Sequence, residues 1–337
     1  MGHVFETRSS FLSFVALHVE ICMRVVDCGL STTLVQKSTQ GTACVGSGGQ
    51  HPCKWQAFVG ADAIGSGRLT RGQLRWNYTA VHPGVYLPNG AERTIHVNAV
   101  AAWLWTGCKG IIASRAAAAL HGARWVDAST PIEIIAEHTR KRGGVIVREE
   151  QIRADEITYV GELPVTTVAR TALDLARFLP RDIAVAHLDA LACATGVSAA
   201  HAIALAARYP GARGIRRARV ALALMDGGAQ SPKETWLRLV LIDGGLPRPR
   251  TQIRVSDGVD EAFIDMGYDE PMVGLDYDGA HHSKDRGQYV HDIGRSEFVE
   301  RQGWIDIRVV AEHGRRFIMH RAREAFARRG WVPPKSA

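Results

Sequence analysis

No apolar run in this 337-residue chain approaches the roughly 18 residues a membrane-crossing helix needs, so a spanning segment is not expected. Cysteine is sparse: of six in all, Cys22, Cys28, Cys44 and Cys53 fall in the first 53 residues and none forms a close C-x-x-C pair, which argues against both a zinc site and a disulfide framework. No internal repeat is evident. Acid is outnumbered, with 34 Asp and Glu against 41 Lys and Arg for a formal charge of +7, and the distribution matters more than the sum. Residues 231–300 hold 8 basic and 14 acidic side chains, whereas 301–337 hold 9 basic and 3 acidic. Acids gathered beside a basic flank suit a polyanionic partner, although an Arg-rich terminal helix can also be simply a solvated face.

What is present is ordinary globular composition, 46% hydrophobic and 22% charged, with enough chain for two or three domains. A cytoplasmic protein without an organic cofactor is expected. Phe11–Val19 is apolar, but Glu20 and Arg24 come directly after it, so it is a poor signal peptide. Residues 1–54 lack periodicity and are expected to be a disordered leader or the product of a start assigned too early.

From Lys54 the pattern becomes regular. Trp55–Ile64 reads as a helix, Thr70 as the N-cap of a short second helix carrying Leu74 and Trp76, and Pro83-Gly84 as a turn between extended pieces. Two short helices and a hairpin match the order of a winged helix-turn-helix, or of any small helical subdomain. Cys108–His121 is alanine-rich and predicts a helix; Ile132–Ala136 and Val145–Arg148 predict strands. Arg140-Lys141-Arg142 suits a solvated turn or a phosphate contact. Helices are expected from Thr166 or Thr167 through Phe178, over 182–194, 198–209 and 215–225, before Asp226-Gly-Gly marks a boundary. Beyond it the expected order is helix, three strands, helix, strand, helix. The fold class is therefore α/β with several domains, set at 55–90, 91–178, 179–229 and 230–337.

The most informative stretch is Glu261-Ala-Phe-Ile-Asp265 with, after a short turn, Val273-Gly-Leu-Asp276-Tyr-Asp278-Gly279 and His281-His282. Phe263, Ile264, Val273 and Leu275 predict buried strands, in which an ionised Asp is costly unless paired or metal-bound. A period of two puts Asp276 and Asp278 on one face, opposite Leu275 and Tyr277, an arrangement suited to oxygen ligands on a hard cation such as Mg2+ or Mn2+. Structural alternatives stand beside these readings. Ser231-Pro-Lys-Glu234 is also a capping box, Asp278-Gly279 a turn dipeptide, and Asp292 with Arg295 a surface pair at i and i+3.

Ser231-Pro-Lys-Glu234-Thr, Phe263-Ile-Asp265, Leu275-Asp276-Tyr-Asp278-Gly279 with His282, Asp292-Ile-Gly-Arg295 and Ile307-Arg308 together resemble the very-short-patch-repair (Vsr-like) endonucleases of the PD-(D/E)XK superfamily. This resemblance covers about the last third of the chain. It implies a mixed sheet flanked by helices that hydrolyses or nicks DNA, with Asp265 and Asp276 as metal ligands and Glu234 and Asp278 in the catalytic set. Asp276 stands where the family usually has Glu, and Asp278 where the wider superfamily has Lys, so the resemblance gives the role of base to His282, with His281 as the alternate. Arg295 is a candidate phosphate contact. Leu69-Thr-Arg-Gly-Gln-Leu, Pro83-Gly-Val-Tyr86, Ser114-Arg-Ala-Ala-Ala-Ala-Leu-His-Gly122 and Pro164-Val-Thr-Thr-Val-Ala-Arg170-Thr-Ala-Leu-Asp174 are similar to the AbiEi-type abortive-infection antitoxins. That similarity implies a winged helix with Arg71, Gln73 and Arg75 on DNA, autorepression, and a cognate toxin as a partner. An inactive nuclease scaffold in such a regulator is the alternative.

Overall fold

The computed structural model describes residues 57–137, 142–279 and 286–334, without the side chains of 286–292. The leader, Arg140, Lys141, His281, His282 and the side chain of Asp292 lie outside the described residues. The chain is mixed α/β, and the described part divides into two compact units. One comprises residues up to Leu120 together with Val126–Thr167; the other comprises His121–Trp125 with everything from Val168 onward.

The first unit opens with β1 (Phe58–Val59) and α1 (Gly60–Gly65). The helix expected from Trp55 starts later because Phe58 and Val59 pair with Tyr86 and Val85 of β3. Helix α2 (Arg71–Asn77) begins where Thr70 predicts. The Thr70 hydroxyl accepts the Gln73 amide at 3.2 Å, and the Gln73 carbonyl oxygen accepts the Thr70 amide at 2.8 Å, a reciprocal cap. A hairpin comes next, β2 (Tyr78–His82) and β3 (Val85–Pro88), turning at Gly84, whose φ of +79° suits a residue without a Cβ. Together β1, β3 and β2 form a small sheet.

Helix α3 (Ile95–Trp105) is buried along most of its length; with no polar stripe to give it a helical period, it had no signature in the sequence pattern. The helix expected over Cys108–His121 is halved. Ile111–Ala113 form strand β4, and only Ser114–Leu120 form α4. Two adjacent β-branched residues, Ile111 and Ile112, pair with β5 (Ile132–Ile135) and β8 (Leu163–Thr166), and burial between strands outweighs the helix preference of the neighbouring alanines. With β6 (Val145–Arg148) and β7 (Ile157–Val160) these make a five-stranded sheet ordered β6-β5-β4-β8-β7.

The second unit begins with helices α5 (Val168–Phe178), α6 (Arg181–Thr195), α7 (Ala199–Ala206) and α8 (Ile215–Ala223), continues into α9 (Pro232–Asp243), and then forms strands β9 (Arg250–Ser256), β10 (Glu261–Tyr268) and β11 (Val273–Tyr277). Helix α10 (Arg286–Arg301), β12 (Ile305–Val309) and α11 (Arg315–Arg328) complete it. The sheet order is β12-β11-β10-β9, parallel only between β11 and β12. One face packs Met266, Val273, Leu275, Ile307 and Val309 against Leu237, Val240 and Leu241 of α9 and Ile318, Ala322 and Phe326 of α11. The other packs Ile253, Val255, Ala262 and Ile264 against Phe298 and Val299 of α10. Phe263, expected inside, is 45% exposed, and Phe317 is 48% exposed. Phe263 alternates away from Ala262 and Ile264, and Phe317 sits one residue off the Ile318–Ala322–Phe326 stripe. Among the described residues no single helix is long and apolar enough to cross a membrane.

A buried histidine separates the two units in their response to pH. His82 is 5% exposed, its Nδ1 has no hydrogen-bond partner, and burial together with the Arg142 and Arg93 charges lowers its pKa to about 4. The unfolded chain takes up its proton near pH 6.5, so the contribution of His82 is present above 6.5 and is lost as pH falls toward 4, about 3 kcal/mol in all. The second unit carries Asp189, Asp265 and Asp306, whose pKa values burial raises to about 6, 7 and 7. Their contributions favour folding below pH 4 and decline as pH rises through 6 to 7. Hydrogen exchange measured from pH 7 to pH 5 should therefore show protection falling in β2 and β3 and rising in β10 and β11. A common trend in both units contradicts this assignment.

Candidate functional site

The acidic site lies on the α10 face of the second sheet, where β10 and β11 part. Their backbone pairing runs from Tyr268↔Val273 to Met266↔Leu275 and stops. At the next position carboxylates replace the ladder. The Asp265 amide donates to Oδ1 of Asp276 at 2.7 Å, and the Tyr277 amide donates to Oδ2 of Asp265 at 2.8 Å. Strand β10 also reverses its faces here: Ala262 and Ile264 lie under α10, yet Met266 and Tyr268 lie toward α9 and α11. An even spacing that changes face marks an irregularity, and Gln252, at the skipped position of β9, has φ +49°. Gly274 beside the site is required by close approach, since a Cβ there would come within 2.7 Å of the Ile264 side chain.

The guanidinium of Arg295, carried by α10, donates to Oδ2 of Asp276 at 2.6 Å and to the Phe263 carbonyl. Asp276 is 6% exposed. Burial, then the charges of Asp276 and Glu234, raise Asp265 to about 7 against the pull of the Tyr277 amide and Arg295. Glu234 is buried at the start of α9, where its amide donates to the Ser231 hydroxyl at 3.2 Å and its carboxylate accepts the amide of Gln230 at 2.8 Å. It thus caps one residue ahead of the expected Ser231 amide. Burial raises its pKa, partly offset by those bonds, and Asp276 adds to the rise.

Asp265, Asp276, Glu234 and Arg295 are therefore brought together. Asp278 is 36% exposed at the side chain and lies 3.8 Å from Arg308, the β12 residue in register with Asp276. Two neighbours were given no role by the sequence motifs, one of them Lys233 within Ser231-Pro-Lys-Glu234. Lys233 holds its ammonium 5.9 Å from the centre of the Tyr277 ring. Asp306 of β12 pairs in register with Gly274 and so shares the Asp276 face. A carboxylate within the last expected strand, around Ile307-Arg308, was the signal that could have found it. Among the described residues, no three His, Cys, Asp or Glu side chains are disposed as a ready metal cage; Arg295 stands among these carboxylates instead. The chemistry of the donor set nevertheless fits a hard dication, because it is all carboxylate oxygen and includes buried oxygens without partners.

In the first unit, α2 buries only Leu74 and presents Arg71, Gln73 and Arg75 to solvent, with Arg75 over the ring of Trp76 at 5.8 Å. The Gln73 oxygen is committed to the cap. Trp76 is 74% exposed, and α2 has no acidic residue. Comparison with protein-family models, with curated proteins and with solved structures found no match.

Proposed function

We propose that this chain is a DNA-binding protein whose second unit carries a PD-(D/E)XK, Vsr-like site that hydrolyses or nicks DNA phosphodiesters with Mg2+ or Mn2+. The observation that carries the reading is the buried charge: Asp265, Asp276 and Asp306, with Glu234 behind them, against the guanidinium of Arg295 and, 4.0 Å from Asp306, that of Arg308. Buried carboxylates in such excess are offset either by taking up protons or by a cation, and a divalent metal would supply the second. Asp265 and Asp276 would hold the metal, which when bound neutralises a scissile phosphate and acidifies a bound water. The chain's own residues do the rest. Backbone amides fix the orientation of the Asp265 and Asp276 carboxylates, leaving Asp265 its other oxygen, while Oδ2 of Asp276 is held by Arg295. Arg295 is the phosphate contact and His282 the proton acceptor.

The first unit is then a winged helix-turn-helix, with α2 as the reading helix. Each Lys or Arg on a phosphate contributes a slope of about 0.9 in log Kd against log salt. Replacing Arg71 and Arg75 by alanine should weaken DNA retention about equally across sequences and reduce that slope by roughly 2. An unchanged slope removes α2 from the interface.

A second reading has its own observation. The two amide bonds and the Arg295 ion pair satisfy Asp265 and Asp276 without a metal, as an inactive scaffold in an AbiEi-type regulator with a toxin partner would. A plasmid assay with Mg2+ or Mn2+, beside a gel shift on the gene's own upstream DNA, separates the two. Nicking supports the nuclease, and a shift without nicking under either metal supports the regulator.

A further inference from the structure

From Ala190 to Met225 the chain has no Asp or Glu, although 34 of its 337 residues are acidic, and it has five arginines there, which supply five of the seven net positive charges. This stretch covers the end of α6 and all of α7 and α8, and lies outside both segments that resemble known families. Burial sorts its side chains. Ala202, Leu205 and Ala206 of α7 and Ile215, Ala218, Ala221 and Leu222 of α8 face the core, which leaves Arg213, Arg216 and Arg219 exposed at intervals of three. Arg216 and Arg219, at i and i+3, stand side by side on the helix. Arg217 has a structural task, since its guanidinium donates to the Arg177 carbonyl.

The three exposed cations are unanswered. Elsewhere in the second unit exposed arginines meet acids: Arg250 meets Asp269 at 2.6 Å, Arg254 meets Glu261 at 2.8 Å and Arg328 meets Glu324 at 2.8 Å. Among the described residues no acid pairs with Arg213, Arg216 or Arg219, and like charges at this spacing repel. The start of α8 adds to the positive potential. Its first turn holds no acid, and Gly214 before it cannot carry a capping side chain, because a Cβ there would lie 2.6 Å from the Arg177 carbonyl oxygen.

We propose that Arg213, Arg216 and Arg219 form a second contact with the phosphate backbone of duplex DNA, made by the second unit in addition to α2. This inference rests on the DNA-binding reading given above, and adds residues that neither resemblance assigns. Unpaired cations on a polyanion release its condensed counterions, and the weakly hydrated guanidinium suits phosphate. An anionic membrane fits less well. A helix lying on lipid needs an apolar face beside its cations, whereas the apolar faces of α7 and α8 are spent on the core and leave Ile203 and Val220 as their exposed large apolar side chains. Phosphate contacts position a protein without reading sequence, so the surface grips DNA whatever its bases.

The test is retention of a labelled duplex by the full chain over a salt series, on the gene's own upstream DNA and on an unrelated sequence. The triple variant Arg213→Ala, Arg216→Ala, Arg219→Ala should bind both duplexes at least tenfold more weakly at about 0.1 M salt and lower the slope of log Kd against log salt by roughly 2 to 3. The triple Arg→Lys variant should keep most of the wild-type slope, as a contact made by charge requires. The pair Arg216→Gln and Arg219→Gln, which retains polar stems, should lower the slope by roughly 2 and serves if the alanine variant fails to fold. If wild type binds DNA and the alanine and glutamine variants keep its affinity and slope, the α8 surface is overturned while the DNA-binding reading stands. If those variants keep the DNA slope but lose a wild-type affinity for phosphatidylserine vesicles, the surface is a membrane contact and the inference is overturned. If wild type retains neither duplex, both fall.

Discussion

On the proposed reading, Asp265→Asn should abolish metal-dependent DNA nicking, by at least a thousandfold, while leaving DNA retention in a gel shift and the fold intact. The magnitude comes from the role: losing a metal ligand removes the charge that offsets the scissile phosphate, and a 10³ loss corresponds to about 4 kcal/mol of transition-state stabilisation. Asparagine is the informative substitution because its carbonyl oxygen can still accept the Tyr277 amide now held at 2.8 Å. Alanine orphans that amide at a cost of about 1–3 kcal/mol and so confounds loss of chemistry with loss of fold. Burial and the charges of Asp276 and Glu234 disfavour the ionised form of Asp265, so neutral Asn should also raise the metal-free Tm at pH 8. A variant that nicks as wild type, or that loses DNA retention in parallel with nicking, contradicts the role.

The largest loss of stability should come from a side chain far from this chemistry. Arg238 of α9 is fully buried and donates to Oδ2 of Asp189 at 2.7 Å and to the Leu224 carbonyl at 2.7 Å. Asp189 also accepts from the Thr235 hydroxyl at 2.8 Å and the Asp226 amide at 2.7 Å. This network ties α6 to α9. Arg238→Ala leaves a buried carboxylate without its cation and should cost about 3–5 kcal/mol, lowering Tm by about 10 °C for a unit of this size. Burial already holds Asp189 at about 6 in spite of Arg238, so the deficit should shrink at pH 5, where the acid is neutral. Pairing Arg238→Met with Asp189→Leu should recover most of the loss. A single-variant cost under about 1 kcal/mol would show that water reaches the network.

The order of elements in the second unit was legible because each had a local signature: Ser231-Pro for α9, alternating apolar residues for β11, Gly303 after α10. The start of α2 was equally plain in Thr70 and Gln73. The break in β10 was not legible. Nothing in Glu261–Tyr268 announces that Asp265 will take over the ladder bonds, since the break depends on Asp276 and Gln252 arriving from other strands. Period-two logic put Asp278 beside Asp276; its amide continues the ladder to the Val309 carbonyl at 2.8 Å, while its side chain is 36% exposed beside Arg308. Helix α3 and the β4–α4 junction, with Ser114 at φ +52°, are decided by burial in a sheet whose strands are distant in sequence. Asp306 was in plain view as an acid in a buried strand. Its importance depends on a parallel register, which local patterning does not encode.

Every catalytic role assigned to the second unit depends on the acid cluster around Arg295 being a metal site that cuts DNA. The decisive experiment incubates supercoiled plasmid with the purified full chain in Mn2+ and in EDTA. Conversion to open circles is expected in Mn2+, with none in EDTA and none with Asp265→Asn. Supercoiled DNA persisting in Mn2+ and Mg2+, while the same protein shifts its own upstream DNA, would refute the nuclease and leave the regulator in its place.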